Sequence, residues 1–231
     1  SAIGDCINAL AAVQCIAREL NPESITWLVG KNEATLFSKI PGINLVTYDK
    51  KAGLKGFLAV KKQLNNQKFT CLLDMQSALR ASMLSLCVKA ERKLGFDATR
   101  ACDGQRFFTN EKVTSPDFPH VLDGFMAFAD YLGVPPAEML SWQLAISETD
   151  REYAKQFIDP TRKNLIISPC SSKAEKDWLV ERYAEVANIA HQHNVNVIFC
   201  SSPAKRELEM VKKITALCNF QPVDASGKTS L

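Results

Sequence analysis

The chain has 231 residues, with 28 Lys and Arg against 25 Asp and Glu, and 46% of it is apolar. That length suits one large or two small domains with a buried core, which excludes a disordered chain. A formal charge of +3 is too small to demand nucleic acid, although it is compatible with an anionic substrate.

In chain order, helix and strand patterns alternate. Residues 6–20 place Ile7, Leu10, Ala11 and Ile16 near helical spacing before "NPES" stops them, and "SITWLVG" is a short apolar run of the buried-strand kind. A helix over 32–40, the strand "INLVTYD", a helix over 54–64, the strand "FTCLLDM" and a helix over 77–89 follow. This is the βαβ rhythm of a parallel sheet. On that rhythm the first helix should follow a strand, so residues 1–5 are expected to be the loop after a strand that the chain does not contain. Periodicity fades over 97–119, with room for one short strand. It returns at 120–133, where Val121, Phe125, Phe128 and Leu132 make one apolar stripe. "GVPPAE" is a breaker, "WQLAIS" alternates like a strand, and Thr149 with Glu152 suggests a capping box for a helix to Ile158.

A second α/β unit then begins: the strand "NLIISPC", a helix over 178–191, the strand "VNVIFCS" and a helix over 203–218 opened by Ser202 and Pro203. The boundary is expected between 147 and 162, giving domains of 1–150 and 151–231. Two strands and two helices are too little to enclose a core, so this end also reads as clipped. Eight cysteines are spread along apolar stretches with no C-x-x-C, which reads as reduced, buried thiols.

Few stretches carry chemistry. Asp5 in "SAIGDC" is either a helix cap or a carboxylate aimed at a ligand, since ligands gather at the carboxyl ends of parallel strands and Gly4 lets backbone come close. "SPCSSKAEKDW" sets Ser171, Ser172, Lys173 and Lys176 beside a helix start, either a solvated loop or an anion site. Lys50, Lys51, Lys55, Lys61 and Lys62 form a basic patch, either solvated or facing a negatively charged acceptor. "ASGKTSL" imitates a P-loop but lacks its first glycine, which would fall on Pro222, and the two histidines of "HQH" do not share a helical face. No two aspartates stand two apart, so a D-x-D metal clamp is missing, and no G-x-G-x-x-G follows a strand, which counts against a dinucleotide oxidoreductase.

"SAIGD", "ITWLVG", "LLDMQSALRAS", "LGFDATR", "PHVLDGF" and "SPCSSKAEKDWLVERYAEVA" together resemble the ADP-heptose:lipopolysaccharide heptosyltransferases of glycosyltransferase family 9, most of all the heptosyltransferase I type. The resemblance runs along essentially the whole chain. It implies the α/β GT-B fold: two Rossmann-like domains with parallel sheets, acceptor on the first and sugar nucleotide mostly on the second. It implies Asp5 as general base, Ser171, Ser172 and Lys176 on the ADP diphosphate, and Arg80, Arg100 and His120 in the acceptor cleft. Lys50 and Lys51 fall in the family's basic acceptor loop.

The implied reaction is inverting transfer of L-glycero-D-manno-heptose from ADP-heptose to a Kdo sugar of lipid A, with no metal or other cofactor. The implied partners are ADP-heptose, Kdo-lipid A and the periphery of the bacterial inner membrane on its cytosolic face, with no nucleic acid. A heptosyltransferase using a heptose acceptor and a non-catalytic nucleotide-sugar or carbohydrate-binding module are the alternatives. Asn8 stands where the family often has His, and Lys205 where it usually offers Glu to the ribose, with Glu207 two residues on. The family's D-S-G-P-x-H loop is expected beyond Leu231.

Overall fold

A computed structural model describes residues 3–117, 120–135, 140, 142–171 and 173–229. Ser172 and the second half of the "GVPPAE" breaker, residues 136–138, lie outside the described residues. The chain divides into two compact units, Ser1–Ala145 and Ile146–Leu231.

The first unit runs α1 (Ile3–Leu20), β1 (Ile25–Gly30), α2 (Lys31–Phe37), β2 (Ile43–Tyr48), α3 (Gly53–Leu64), β3 (Phe69–Leu73), α4 (Leu79–Leu84), β4 (Ala90–Phe96), β5 (Glu111–Val113) and α5 (Val121–Tyr131). β1 and β2 pair in parallel, and β3, β4 and β5 form a second parallel sheet in that order. Parallel pairing sets the carboxyl ends of neighbouring strands on one rim, where the loops are free to carry function. The largest core lies where α1 and α5 cover the second sheet. Ala9 and Ala12 meet Leu94, Phe96, Val113 and Phe128 there, and the Phe96 and Phe128 rings sit edge to face at 5.1 Å.

The second unit contains α6 (Glu148–Ala154), β6 (Asn164–Ile167), α7 (Val180–Gln192), β7 (Asn196–Phe199), α8 (Lys205–Ala216) and β8 (Val223–Asp224). β6, β7 and β8 are parallel neighbours in that order. Ile167, Val197 and Phe199 pack against Ala184, Ala187, Val211 and Ile214. The third strand, β8, exceeds the two read from sequence, whereas α6 is the helix expected from the Thr149 capping box.

Several boundaries differ from expectation, each for a local reason. α1 begins at Ile3, so Asp5 lies inside a helix and not in a loop. The helix expected over 77–89 ends at Leu84, passes through a 3₁₀ turn (Ser85–Cys87) and gives way to β4, whose charged outer residue Arg92 grips Glu111 of β5 through two hydrogen bonds of 2.8 and 2.7 Å. "WQLAIS" is not a strand. Its Trp142 donates to the Ile7 carbonyl (2.9 Å), and Gln143 exchanges two bonds with the Gln14 side chain, so its polar groups are satisfied by α1 and not by a ladder.

Ser147 caps α6, accepting from the Asp150 amide at 3.1 Å, in place of the expected Thr149, and that helix stops at Ala154. Val121 is exposed, while Phe125 and Phe128 of its stripe are buried. The eight cysteines are free, but only Cys6 and Cys15 are buried, and Cys102 is exposed.

Candidate functional site

Asp5 occupies the third position of α1, exposed, with no hydrogen-bond or ion-pair partner among the described residues. A carboxylate in a first turn meets the positive end of the helix, a favourable place for an acidic side chain. A Cβ at Gly4 would touch nothing within 4 Å, so the space over this turn is open and Gly4 is not forced by packing.

The rim of the first sheet carries Lys50 and Lys51. Lys50 is less available than its sequence position suggests, because its ammonium sits 2.9 Å from the buried carboxylate of Glu33 in the first turn of α2. That carboxylate lies over Gly30, where a Cβ would come within 2.1 Å of Glu33 Oε2, so any side chain there would displace the Glu33 carboxylate from this position. Lys51 offers its amide to Asp49 (2.8 Å) and leaves its side chain exposed.

The rim of the second sheet carries Arg80, Arg100 and His120. The loop after β4 is stitched to the start of α4: Asp103, with φ of 49°, accepts from the Leu79 amide at 3.3 Å, and Ser77 Oγ accepts from the Cys102 amide. Those bonds hold the segments bearing Arg80 and Arg100 together. Arg80 is exposed on α4. Arg100 Nη2 donates to the His120 carbonyl at 3.3 Å, while His120 Nδ1 caps α5 by accepting from the Leu122 amide at 3.2 Å. His120 therefore serves the helix through its side chain and Arg100 through its backbone.

An open cleft of about 440 Å³ lies beside Arg100, lined among others by Phe96, Ser115, Asp117, Val121 and Phe125. Asp97 at its rim is committed to structure. The Ser115 hydroxyl (2.6 Å) and amide (2.7 Å) hold its carboxyl below the usual range.

One carboxyl in this unit has no place in the sequence reading. Asp74, at the carboxyl end of β3, is buried, and burial pushes it up to about 6 against the opposing hydrogen bonds of Gln105, the Gln76 amide and Ser82. Gln105, fully buried, joins the Asp74 carbonyl (2.8 Å) to the Phe96 amide (3.1 Å), tying β3 to β4 where the rim loops start. The folded state holds this proton more tightly than the unfolded chain, whose ordinary value is 3.8. Stability is therefore fully present below about pH 4 and declines as pH rises towards 6. Urea midpoints between pH 4 and 7 should show an Asp74→Asn variant gaining on the wild type by on the order of 2 kcal/mol across that window. Parallel profiles for the two proteins would remove Asp74 as the cause.

In the second unit the loop after β6 holds Ser171 and Lys176. It is more closed than the anion-site reading expects, because α7 starts at Val180 and the amides of Ser171, Lys173, Lys176 and Asp177 before it are already used. Asp177 Oδ1 accepts from the Ser171 amide (2.7 Å), Ser171 Oγ donates to the Lys173 carbonyl (2.7 Å) and accepts from the Lys173 amide (3.1 Å), and residues 174–176 form a 3₁₀ turn. Arg206, from the first turn of α8, donates to both Asp177 Oδ2 and the Ser171 carbonyl. The Ser171 amide first, and Arg206 second, hold the Asp177 carboxyl below the usual range.

Lys176 emerges from this clamp exposed, its ammonium without a hydrogen-bond or ion-pair partner among the described residues. Asp177 lies within "SPCSSKAEKDW" but has no role in the sequence reading, and Arg206 lies in no stretch that the sequence singles out for chemistry. Glu207 accepts from the Ser202 amide (2.9 Å) and so fixes the turn into α8, whereas Lys205 is exposed and 3.9 Å from Glu209.

The remaining sequence features are structural. Gly227 of "ASGKTSL" has a φ of 67° and its amide bonds the Ser201 carbonyl, while Lys228 bonds the Asp224 carbonyl of its own turn. His191 stacks on Phe220 at 3.9 Å. Among the described residues no three His, Cys, Asp or Glu gather as a metal ion would require.

Comparison with known proteins decides the family. The description "Glycosyltransferase family 9 (heptosyltransferase)" matches residues 57–231. The chain belongs to glycosyltransferase family 9. It is 62% identical over 231 residues to lipopolysaccharide core heptosyltransferase OpsX of Haemophilus influenzae, and spans 66% of that protein's length. Among solved structures, a family 9 glycosyl transferase from Veillonella parvula aligns over the whole chain and 68% of its own, with a TM-score of 0.85 at 21% identity. E. coli heptosyltransferase WaaC with ADP aligns over the whole chain and 74% of its own, at a TM-score of 0.75 and 16% identity. E. coli ADP-heptose lps heptosyltransferase II reaches 0.71 at 17% identity, over the whole chain and 71% of its own. At such identities these likenesses speak for the fold, GT-B.

Proposed function

We propose that the family 9 protein to which this chain belongs transfers heptose, with inversion, from ADP-heptose to a Kdo sugar of the lipopolysaccharide inner core, working at the cytosolic periphery of the inner membrane. The observation that carries this reading is the 62% identity, along the whole chain, to a lipopolysaccharide core heptosyltransferase. The local geometry is compatible with it. Asp5 presents, near the start of α1, a carboxylate without a partner among the described residues, able to accept the acceptor hydroxyl's proton as its oxygen attacks the anomeric carbon. Lys176 and Ser171, with Ser172 where the resemblance assigns it the same role, would stabilise the charge that grows on the departing ADP, a task for preorganised donors that needs no metal.

Mass spectrometry of the full-length protein incubated with ADP-heptose and a Kdo acceptor tests this, the expected product being the acceptor enlarged by one heptose. Product formed only on a heptose acceptor would move the reaction to the related enzyme. ADP-heptose bound but never turned over would make the protein a binding module.

The acceptor side of the reading gives a sharper expectation. Arg100 Nη1 lies 1.5 Å from where a Cβ on Gly124 would stand, so the guanidinium rests against bare helix backbone. Gly124→Ala should therefore push Arg100 away while adding up to ~1 kcal/mol of helix propensity. In the full-length protein, acceptor KM should rise roughly tenfold, as expected on loss of one charged hydrogen bond, with donor KM and melting temperature not worsened. An unchanged acceptor KM would take Arg100 out of the site.

A further inference from the structure

α3 (Gly53–Leu64) contains no acidic residue and turns one face outward. Gly56, Val60 and Leu64 are buried against β2 and the turn after α4, whereas Leu54 and Leu58 are 81% and 66% exposed. At 100° per residue these two leucines fall on the outward face, with Lys61 on one side of them and Lys55 and Lys62 on the other. α4 and its 3₁₀ turn add Leu79, Met83 and Leu86, all exposed, on their own outward side. The two elements are neighbours, since Leu84 and Val88 share a core with Val60 and Leu64, and Cys87 Sγ lies 3.8 Å from the Phe57 carbonyl. Between Asp49 and Asp74 the chain carries six lysines and no acid.

Five exposed apolar side chains rimmed by cations exceed the scattered single residues of an ordinary surface. The arrangement has the charge and polarity of an interfacial helix, apolar side chains entering the acyl boundary and lysines meeting anionic headgroups. We propose that the outward face of α3, with the adjoining face of α4, docks on an anionic lipid bilayer. A second copy of the chain is the poorer occupant, because a two-fold contact through this face would set Lys55, Lys61 and Lys62 against one another. The proposal deepens and rests on the membrane contact in the reading above, but not on the reaction.

The experiment is flotation of the full-length protein with vesicles of phosphatidylcholine, with and without phosphatidylglycerol. The protein should float with the anionic vesicles. Leu54→Asn with Leu58→Asn should lower partitioning at least ~tenfold, and Lys61→Gln and Lys62→Gln by about fivefold per charge. The leucines are exposed, so circular dichroism of the double variant should match the wild type.

Absence of flotation, equal flotation with uncharged vesicles, or full binding by the leucine variant would each overturn the assignment. So would lipid-free self-association abolished by the leucine changes, since a second copy would then own the face. Transfer to a water-soluble Kdo acceptor is read in parallel. Its absence in the wild type would refute the reaction while leaving the vesicle result standing, and its retention in the leucine variant would confine their effect to lipid.

Discussion

Asp5→Asn in the full-length protein should lower heptosyl transfer by about 10²- to 10⁴-fold, the span expected when a positioned general base is removed. The substitution keeps the shape of the side chain and removes only its charge and basicity. Asp5 is exposed and makes no hydrogen bond or ion pair among the described residues, so little packing is at stake. Losing a charge from the first turn of α1 costs the helix about 0.3–1 kcal/mol, which a melting curve would register as a small shift. ADP affinity should stay within twofold, because the diphosphate contacts of the proposed reading lie on the other unit. Steady-state transfer together with calorimetric ADP titration separates the cases. Transfer spared while ADP binding collapses would remove Asp5 from the role of base, and loss of both would point to a folding defect.

The parts of this fold that were legible were those where one stretch of chain decides its own structure. β1, β2, β6 and β7 are short runs rich in Ile, Leu, Val and Phe, a local pattern that marks a strand wherever it is buried, although only β7 is buried throughout. β4 escaped notice because "AERKLGF" looks like the tail of a charged helix, and it becomes a strand only through pairing on both sides. β8 has two residues and leaves no periodicity to read.

The same division holds for the candidate site. Asp5, Ser171 and Lys176 stand out by their place near helix starts, and a resemblance spread along the chain gives them roles, as it does Lys50 and Arg80. What holds the candidate residues in place comes from far away in sequence: Asp103 capping the helix of Arg80 from 24 residues on, Glu33 holding Lys50 across 17, and Arg206 reaching the Ser171 loop across 35. Single charged residues of this kind read as ordinary surface until the fold brings their partners to them.

The clamp of Arg206 on the Ser171 loop carries the second large expectation. Two donors of one guanidinium hold a carbonyl and a carboxylate of the same loop, and the second oxygen of that carboxylate holds the Ser171 amide. The planar fork of arginine suits this double grip, and lysine, a single point charge, does not. Without it, Asp177 would be left facing the loop with its charge unbalanced, close to where the proposed reading seats a diphosphate.

Arg206→Ala should therefore weaken ADP binding by ~10- to 10²-fold, the order of loss that follows a small misplacement of binding groups. Arg206→Lys should recover little of it. Lys176→Ala is the reference. If both variants lose ADP, the loop is the diphosphate site and Arg206 acts by positioning it. If Lys176→Ala alone does, the clamp has no bearing on the donor. Should neither lose ADP, the diphosphate sits elsewhere. Asp177→Asn combined with Arg206→Ala supplies the readout that a merely structural role would not move: removing the stranded charge should restore part of the affinity, whereas simple loosening of the loop would leave the double variant no better than the single one.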